Sequence, residues 1–205
     1  MCIRDRALHS TAKLDVLEGL LGSGPGALRA EAARSLRGVN VSEASAALLR
    51  ELDGGAKLSA RPAKLPAGDP AAGERVFFHP KGPRCSSCHS LGGRGGVVGP
   101  DLSTAGRLDP AKLLDSIFEP SKEIAPQFTT WVLVTGKASH TGLRLADDPD
   151  GSLRLATAGG QVVKIRPEAV LRRQPQNTSL MPGNLHELMT LKELADLVAF
   201  LKTAR

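Results

Sequence analysis

The stretch Cys85-Ser86-Ser87-Cys88-His89 decides how the rest of this 205-residue sequence is interpreted. On a helical turn, side chains at positions i, i+3 and i+4 project to one side, so two thiols and one imidazole lie together. This spacing is the signature of covalent attachment of a c-type haem, with two thioethers to its vinyl groups and the imidazole on the iron. We predict that Cys85 and Cys88 anchor one haem c and that His89 is an axial iron ligand.

Two other functions of paired cysteines fit the sequence less well. A thioredoxin-like dithiol would need a preceding strand within a βαβ unit, and the sequence indicates neither. A zinc site would need a second pair of ligands at matching spacing, whereas no cysteine follows Cys88. We assign no function to the third cysteine, Cys2, because it lies in a doubtful N-terminal stretch.

A second axial ligand for the iron is expected from the stretch Ser179-Leu180-Met181-Pro182-Gly183. Met181 lies in a turn marked by proline and glycine rather than on an apolar helix face, so we predict that its thioether is the sixth ligand. Thioether ligation raises the reduction potential, which suits electron transfer better than oxygen chemistry. The other candidates, which we expect to be surface or packing residues, are Met189, His79, His140 and His186.

Composition and charge limit the classes of partner. No stretch approaches the ~20 consecutive apolar residues of a membrane span, so we expect no integral membrane segment. Five Phe, one Trp and no Tyr offer few stacking platforms for nucleic acid. The net charge of +6 divides into a surplus of three in residues 1–68 and three in 129–180. We therefore expect no nucleic-acid partner; a mildly basic surface, or an acidic protein docking on the middle segment, explains the charge.

The N-terminal part of the chain is predicted to be helical. Short segments rich in Ala and Leu, interrupted by glycines, recur about every twenty residues up to Leu52. Residues 1–56 are therefore predicted to be a fragment of a HEAT-like helical-repeat array, with a helical cap on the following domain as the alternative. Residues 57–68 contain two prolines and few apolar side chains, and we interpret them as a linker.

Three helix starts follow the linker, at Asp69-Pro70, at Asp109-Pro110 and at Thr190, where Glu193 completes a capping box. Between the second and third starts, short alternating segments and Gly-rich turns predict five strands. They form a small antiparallel meander or barrel inserted at about residues 129–175. The predicted strands are Thr129–Thr135, Ser139–Ala146, Ser152–Thr157, Gln161–Arg166 and Ala169–Arg173.

From Gly68 onward the sequence resembles a class I cytochrome c domain, of the haem-binding type found in planctomycete and verrucomicrobial secreted proteins. Besides the cysteine motif, the ordered pieces that carry this resemblance are Gly73–Phe77, Val98–Leu102, Ser116–Ser121, Leu180–Gly183 and Leu197–Leu201. The expected fold is mainly α: a cytochrome c-like helical haem domain at residues 69–205 with the β-rich insertion, preceded by the helical-repeat fragment.

The resemblance also implies particular contacts. Gly73 and Phe77 should cross the last helix near Phe200, and the backbone carbonyl of Pro100 should accept a hydrogen bond from the unligated ring nitrogen of His89. Two features depart from the family. The interval from His89 to Met181 is long because the insertion intervenes, and Phe200 replaces a Tyr that is frequent at this position.

The resemblance implies an electron-transfer module rather than an enzyme, and we find no nucleophile–base pair for catalysis. The alternative is a haem enzyme or gas sensor with an open or labile sixth coordination site. The expected partner is a redox protein or a fused dehydrogenase domain, because in this family the domain commonly ends a larger dehydrogenase-like protein. Thioether attachment occurs outside the cytoplasm, so we expect a periplasmic or secreted protein. The stretch Met1–Arg6 lacks the apolar region of a signal peptide, and we expect the true start upstream.

Overall fold

The computed structural model describes residues 11–52 and 58–205, so the prediction for Cys2 lies outside the described residues. The helices in this part are α1 (Thr11–Ser23), α2 (Gly26–Leu36), α3 (Glu43–Leu52), α4 (Pro70–Phe78), α5 (Pro110–Phe118) and α6 (Leu191–Thr203). The strands are β1 (Ser90–Leu91), β2 (Arg94–Gly95), β3 (Thr130–Thr135), β4 (Ser139–Arg144), β5 (Leu153–Ala156), β6 (Val162–Ile165) and β7 (Val170–Gln176).

The balance of helix and strand corrects one expectation. Helices hold 42% and strands 16% of the described residues, so the fold is mixed and only partly fits the description mainly α. The reason is that the insertion forms regular hydrogen-bonded strands along most of its length, and a further short hairpin of β1 and β2 follows the cysteine motif.

The three N-terminal helices pack together, as their sequence pattern predicts. Their shared core consists of residues that are at most 3% exposed: Leu21, Ala32, Ala33 and Leu36. After α2 the chain turns at Gly38, whose φ of +70° is a left-handed conformation that glycine adopts without a steric penalty. This unit leaves apolar side chains uncovered, since Val16 is 61% and Leu28 is 47% exposed.

The three predicted helix starts of the C-terminal part are confirmed. Asp69 and Asp109 each accept a hydrogen bond from the backbone N–H two residues later, at 3.0 and 2.7 Å. At the start of α6, the Thr190 hydroxyl accepts from the Glu193 N–H at 3.2 Å, and the Glu193 carboxylate accepts from the Thr190 N–H at 2.9 Å. These bonds satisfy amides that have no partner within the helix.

The crossing of α4 and α6 forms the main core, as the resemblance implies. A Cβ atom at Gly73 would overlap the Asp196 carbonyl oxygen and lie 2.7 Å from the Cβ of Phe200, so only glycine allows this close approach. The rings of Phe77 and Phe200 lie 5.8 Å apart. Their cluster also contains apolar residues of α5. The crossing therefore holds α4, the helix before the cysteine motif, against α6, the last helix.

The insertion is a five-stranded antiparallel sheet with the strand order β6-β5-β4-β3-β7. The first four strands form a meander, and β7 returns to pair with β3 on the other side. All five predicted strands are confirmed. Because β6 and β7 are the two edges, the sheet is an open meander with one returning strand rather than a closed barrel.

The two faces of this sheet have different neighbours. On one face, Leu143 and Ala156 cluster with Val98 of the loop after the cysteine motif. The opposite face carries its own cluster of Leu133, Leu153, Leu155 and Ile165. Alternation of side chains along a strand produces this division. The insertion is thus built against the loop that follows His89.

The segment between the N-terminal helices and α4 has neither helix nor strand in residues 58–69. Its side chains Leu58 and Leu65 nevertheless pack against the main core. The N-terminal helices also contact the last helix through an ion pair between Arg34 and Glu193 at 2.8 Å. Within the described part of the chain, no helix has the length and apolar character required to cross a bilayer.

Candidate haem-binding site

The cysteine motif forms one tight turn. Cys85–Ser87 is a 3₁₀ turn, and the His89 N–H donates to the Cys85 carbonyl oxygen at 2.9 Å. The turn is entered through Arg84, whose φ of 52° and ψ of 41° place it in the left-handed region. Both Cys85 and Cys88 are free thiols, so neither is held in a disulfide.

Burial affects the acidity of the first cysteine of the motif. Burial raises the pKa of the Cys85 thiol to about 12, so the thiol is protonated at neutral pH. A redox-active dithiol or a zinc site uses the thiolate. In residues 11–52 and 58–205 no group of three or more His, Cys, Asp or Glu side chains could hold a metal ion.

His89 is oriented by the backbone of the following loop. Its Nδ1 atom lies 2.9 Å from the carbonyl oxygen of Pro100, the hydrogen bond that the family resemblance implies. A carbonyl oxygen only accepts, so Nδ1 carries the hydrogen and Nε2 keeps its lone pair. Burial lowers the pKa of His89 below 6.5, and the Pro100 hydrogen bond opposes this shift. The ring is therefore a neutral imidazole with Nε2 available to a metal ion.

Glycines surround the motif on the side of the loop, and sequence reasoning missed their role. A Cβ atom at Gly99 would lie 2.7 Å from Cε1 and 2.8 Å from Nδ1 of His89. A Cβ atom at Gly96 would overlap the carbonyl oxygen of Ser87. Gly95 has a φ of +116°, a conformation that side chains disfavour. The density of glycines in residues 92–99 was the available signal, since close approach of backbone to another group commonly requires glycine.

The same loop is pinned by Asp101. Its carboxylate accepts hydrogen bonds from the Ser90 hydroxyl and the Ser103 N–H, both at 2.6 Å. Hydrogen bonds from Ser103 and Ser90 lower the pKa of this carboxyl. Because Pro100 directly precedes Asp101, these bonds hold the carbonyl group that orients His89.

The loop that carries Met181 is tied to the end of α5. The Met181 N–H donates to the Ser179 hydroxyl at 3.1 Å, and the Ser179 N–H donates to the Ser121 hydroxyl at 3.0 Å. The Ser121 side chain belongs to a turn 58 residues earlier in the chain, so this contact depends on the tertiary fold. Met181 itself is half-buried.

Two apolar clusters bring the methionine loop and the cysteine motif to the same place. Cys85 and Met181 both pack against the main core formed by α4, α5 and α6. Cys88 and Leu180 both pack against the cluster of Val98, Leu143 and Ala156. The two segments thus pack against the same two clusters.

The four other candidate ligands occupy separate places. Met189 is 3% exposed in the main core, and His140 lies on β4. His79 contacts the N-terminal helices, with Nε2 3.3 Å from the Ser35 hydroxyl. His186 is 9% exposed, and its ring stacks on Phe118 at 4.3 Å. Its Nδ1 has no hydrogen-bond partner in the described part of the chain, so His186 is the strongest rival of Met181.

The donor set fits a covalently held haem: two free thiols, a neutral imidazole with one hydrogen-bonded nitrogen, and a thioether that packs against the same apolar core as Cys85. Comparison with family models gives an independent result. The family model for cytochrome c matches residues 70–148, which include the cysteine motif and Pro100 but not Met181. A search of curated proteins found no match. The match supports a cytochrome c domain in this part of the chain, and such a domain implies covalently attached haem c.

Proposed function

We propose that residues 69–205 form an electron-transfer domain that holds one haem c through Cys85 and Cys88, with His89 and Met181 as axial ligands. The observation that carries this proposal is the 2.9 Å hydrogen bond from His89 Nδ1 to Pro100. It leaves the lone pair of Nε2 free, within the same turn as two free thiols.

Each residue has a defined task in this function. Cys85 and Cys88 would hold the haem through thioether bonds to its two vinyl groups, and His89 and Met181 would bind its iron. When bound, the haem supplies an iron that cycles between the ferrous and ferric states. Pro100 holds the imidazole of His89 in one tautomer and makes it a stronger donor. The Met181 thioether favours the ferrous state and raises the potential.

The inserted sheet supports the function by excluding water. Leu143 and Ala156 are 5% and 1% exposed and pack beside Cys88 and Leu180. An apolar wall at a haem disfavours the extra charge of the ferric state and raises the reduction potential. We therefore assign the insertion a shielding role at one side of the haem.

The wider setting follows from the same chemistry. Cytochrome c domains are commonly extracytoplasmic and typically act with redox partners. We place this protein in the periplasm or outside the cell, with a redox protein or a fused dehydrogenase domain as electron donor. The exposed Val16 and Leu28 support a further helical repeat against α1 and α2, as in a HEAT-like array, and the haem domain would be of the planctomycete and verrucomicrobial type.

The test is optical spectroscopy of protein matured in a bacterial periplasm. The wild type should show the reduced-minus-oxidised spectrum of low-spin haem c, and the haem should remain attached to the chain after denaturation. The double variant Cys85→Ala/Cys88→Ala should lack this spectrum. Met181→Ala should open the sixth site and allow carbon monoxide to bind the reduced protein, whereas His186→Ala should not. Ready binding of carbon monoxide to the wild type at neutral pH would contradict Met181 ligation and favour the haem enzyme or gas sensor.

A further inference from the structure

The sheet face that points away from the haem site encloses a cavity. Its volume is about 160 Å³. It is lined by Trp131, Leu133, Arg144, Leu153, Leu155 and Arg173. The three leucines are at most 4% exposed and form an apolar floor.

Strand pairing explains why the space is open. Trp131 on β3 lies opposite Gly142 on β4. A Cβ atom at Gly142 would overlap the carbonyl oxygen of Ala156 and lie 3.0 Å from the Leu155 side chain, so the neighbouring strand requires glycine there. No side chain at position 142 therefore fills the space beside the Trp131 ring.

Two guanidinium groups lie at this cavity. Arg173 lies opposite Leu133 on β7, and it makes no ion pair with any residue in 11–52 or 58–205. Arg144 lies opposite Leu155 and pairs with Asp147 at 2.7 Å, which leaves further N–H donors of its fork free. One carboxylate and two guanidinium groups thus lie at the cavity, so their net charge is positive.

A second, shallower cleft adjoins the cavity. It has a volume of about 440 Å³ and shares Trp131 and Arg144 with the cavity. The rest of its lining includes Gln127, Thr129 and Asp147. The two spaces therefore meet at the side chains of Trp131 and Arg144.

We propose that this cavity is a binding site for a small carboxylate with an apolar body of about six carbons. An apolar cavity of about 150 Å³ holds one benzene ring, which sets the size of the body. The carboxylate would lie against Arg173 and Arg144, where planar guanidinium groups donate paired hydrogen bonds. The site is separate from the haem-binding residues and does not depend on the function proposed for them.

The experiment is calorimetric titration of the reduced holo-protein with benzoate and with benzamide, its neutral counterpart. Benzoate should bind with a Kd below about 1 mM, and benzamide should bind at least about tenfold more weakly. Arg173→Gln should weaken benzoate binding by at least about tenfold. Arg172→Gln is the matched control, because Arg172 lies on the opposite face of the same strand and outside the cavity lining.

The only tryptophan of the sequence adds a local readout. Trp131 contributes the single indole N–H signal in a ¹H–¹⁵N spectrum, and benzoate should shift it in the wild type and in Arg172→Gln. The haem spectrum of each variant reports whether the domain is folded. The proposal would be overturned if benzoate and benzamide bound equally well, or if Arg173→Gln bound benzoate as tightly as the wild type does. It would also be overturned if inorganic sulfate displaced benzoate at an equal concentration, or if benzoate did not bind at about 10 mM.

Discussion

The guanidinium of Arg34 on α2 lies 2.8 Å from the carboxylate of Glu193 at the start of α6. The side chains are 4% and 9% exposed, and 159 residues separate them in sequence. Glu193 also pairs with Arg37 at 2.9 Å and completes the capping box of α6. One carboxylate therefore caps α6 and joins that helix to the N-terminal unit.

Glu193→Ala should lower the free energy of unfolding by about 2–3 kcal/mol, because the buried Arg34 keeps Glu31 at 2.7 Å but loses Glu193, and half of the capping box is removed. Chemical denaturation of the holo-protein measures the change. Glu187→Ala is the control, since Glu187 is exposed and makes no ion pair among the described residues. Equal stability of the two variants would show that the ion pair does not hold the N-terminal helices in place.

The stability should depend on pH through His79. Burial, followed by repulsion from Arg34, lowers the pKa of His79 below 6.5, although Glu31 and Glu193 oppose this shift. The unfolded chain thus takes up this proton at a higher pH than the folded chain does. The stabilising contribution is complete above pH 6.5 and is lost as the pH falls through the folded-state pKa.

Denaturation of the wild type and of His79→Gln at a series of pH values between 7 and about 4 tests this relation. The difference in unfolding free energy between the two proteins should decrease steadily as the pH falls below 6.5. His140→Gln, which removes a half-buried histidine on β4, is the control variant. A pH-independent difference between His79→Gln and the wild type would rule out the titration of His79 as its cause.

Gly99→Ala should disturb the ligation of the iron by His89. The added methyl group would lie 2.7 Å from the ring, and the imidazole would have to move away from Pro100. We expect an altered low-spin spectrum and a lower thermal midpoint than in the wild type. Gly136→Ala is the control, since a Cβ atom there has no neighbour within 4 Å. A wild-type spectrum for Gly99→Ala would show that the loop can relax without moving the ring.

Leu143→Ala should lower the reduction potential, because it opens the apolar wall beside Cys88 and lets water approach. Leu133→Ala is a matched control: Leu133 is 3% exposed and Leu143 is 5% exposed, but Leu133 lies on the other face of the same sheet. Both changes should destabilise the protein by about 2–5 kcal/mol.

Redox titration followed by absorbance measures the potentials of both leucine variants. Only Leu143→Ala should have a lower potential than the wild type. An equal shift in the two variants would mean that general loosening of the sheet, rather than shielding at Cys88, controls the potential.

The elements that sequence reasoning predicted correctly depend on contacts between near neighbours. The Asp69 cap and the capping box of Thr190 and Glu193 involve residues two or three positions apart, so the residue types alone indicate them. The five strands of the insertion follow in the same way from alternation and turn chemistry. The short hairpin after His89 was missed because two-residue strands are too short to show a period.

The contacts that sequence reasoning missed join distant segments. Gly99 was not identified as a neighbour of the His89 ring, because its importance depends on the distance between the two in space. The description mainly α was only partly right, because the hydrogen-bonded strands hold a larger share of the residues than that description implies.

The sequence by itself determined the chemistry of this protein: two thiols and an imidazole at a spacing that one helical turn brings together, and a methionine in a turn. That information is local, because side-chain directions within a turn follow from backbone geometry. The tertiary structure alone decided which groups surround this chemistry. Pro100 meets His89, Leu143 meets Cys88 and Glu193 meets Arg34 only once the helices and the sheet have packed. Burial and electrostatics at these contacts depend on the whole fold, and no short pattern encodes them.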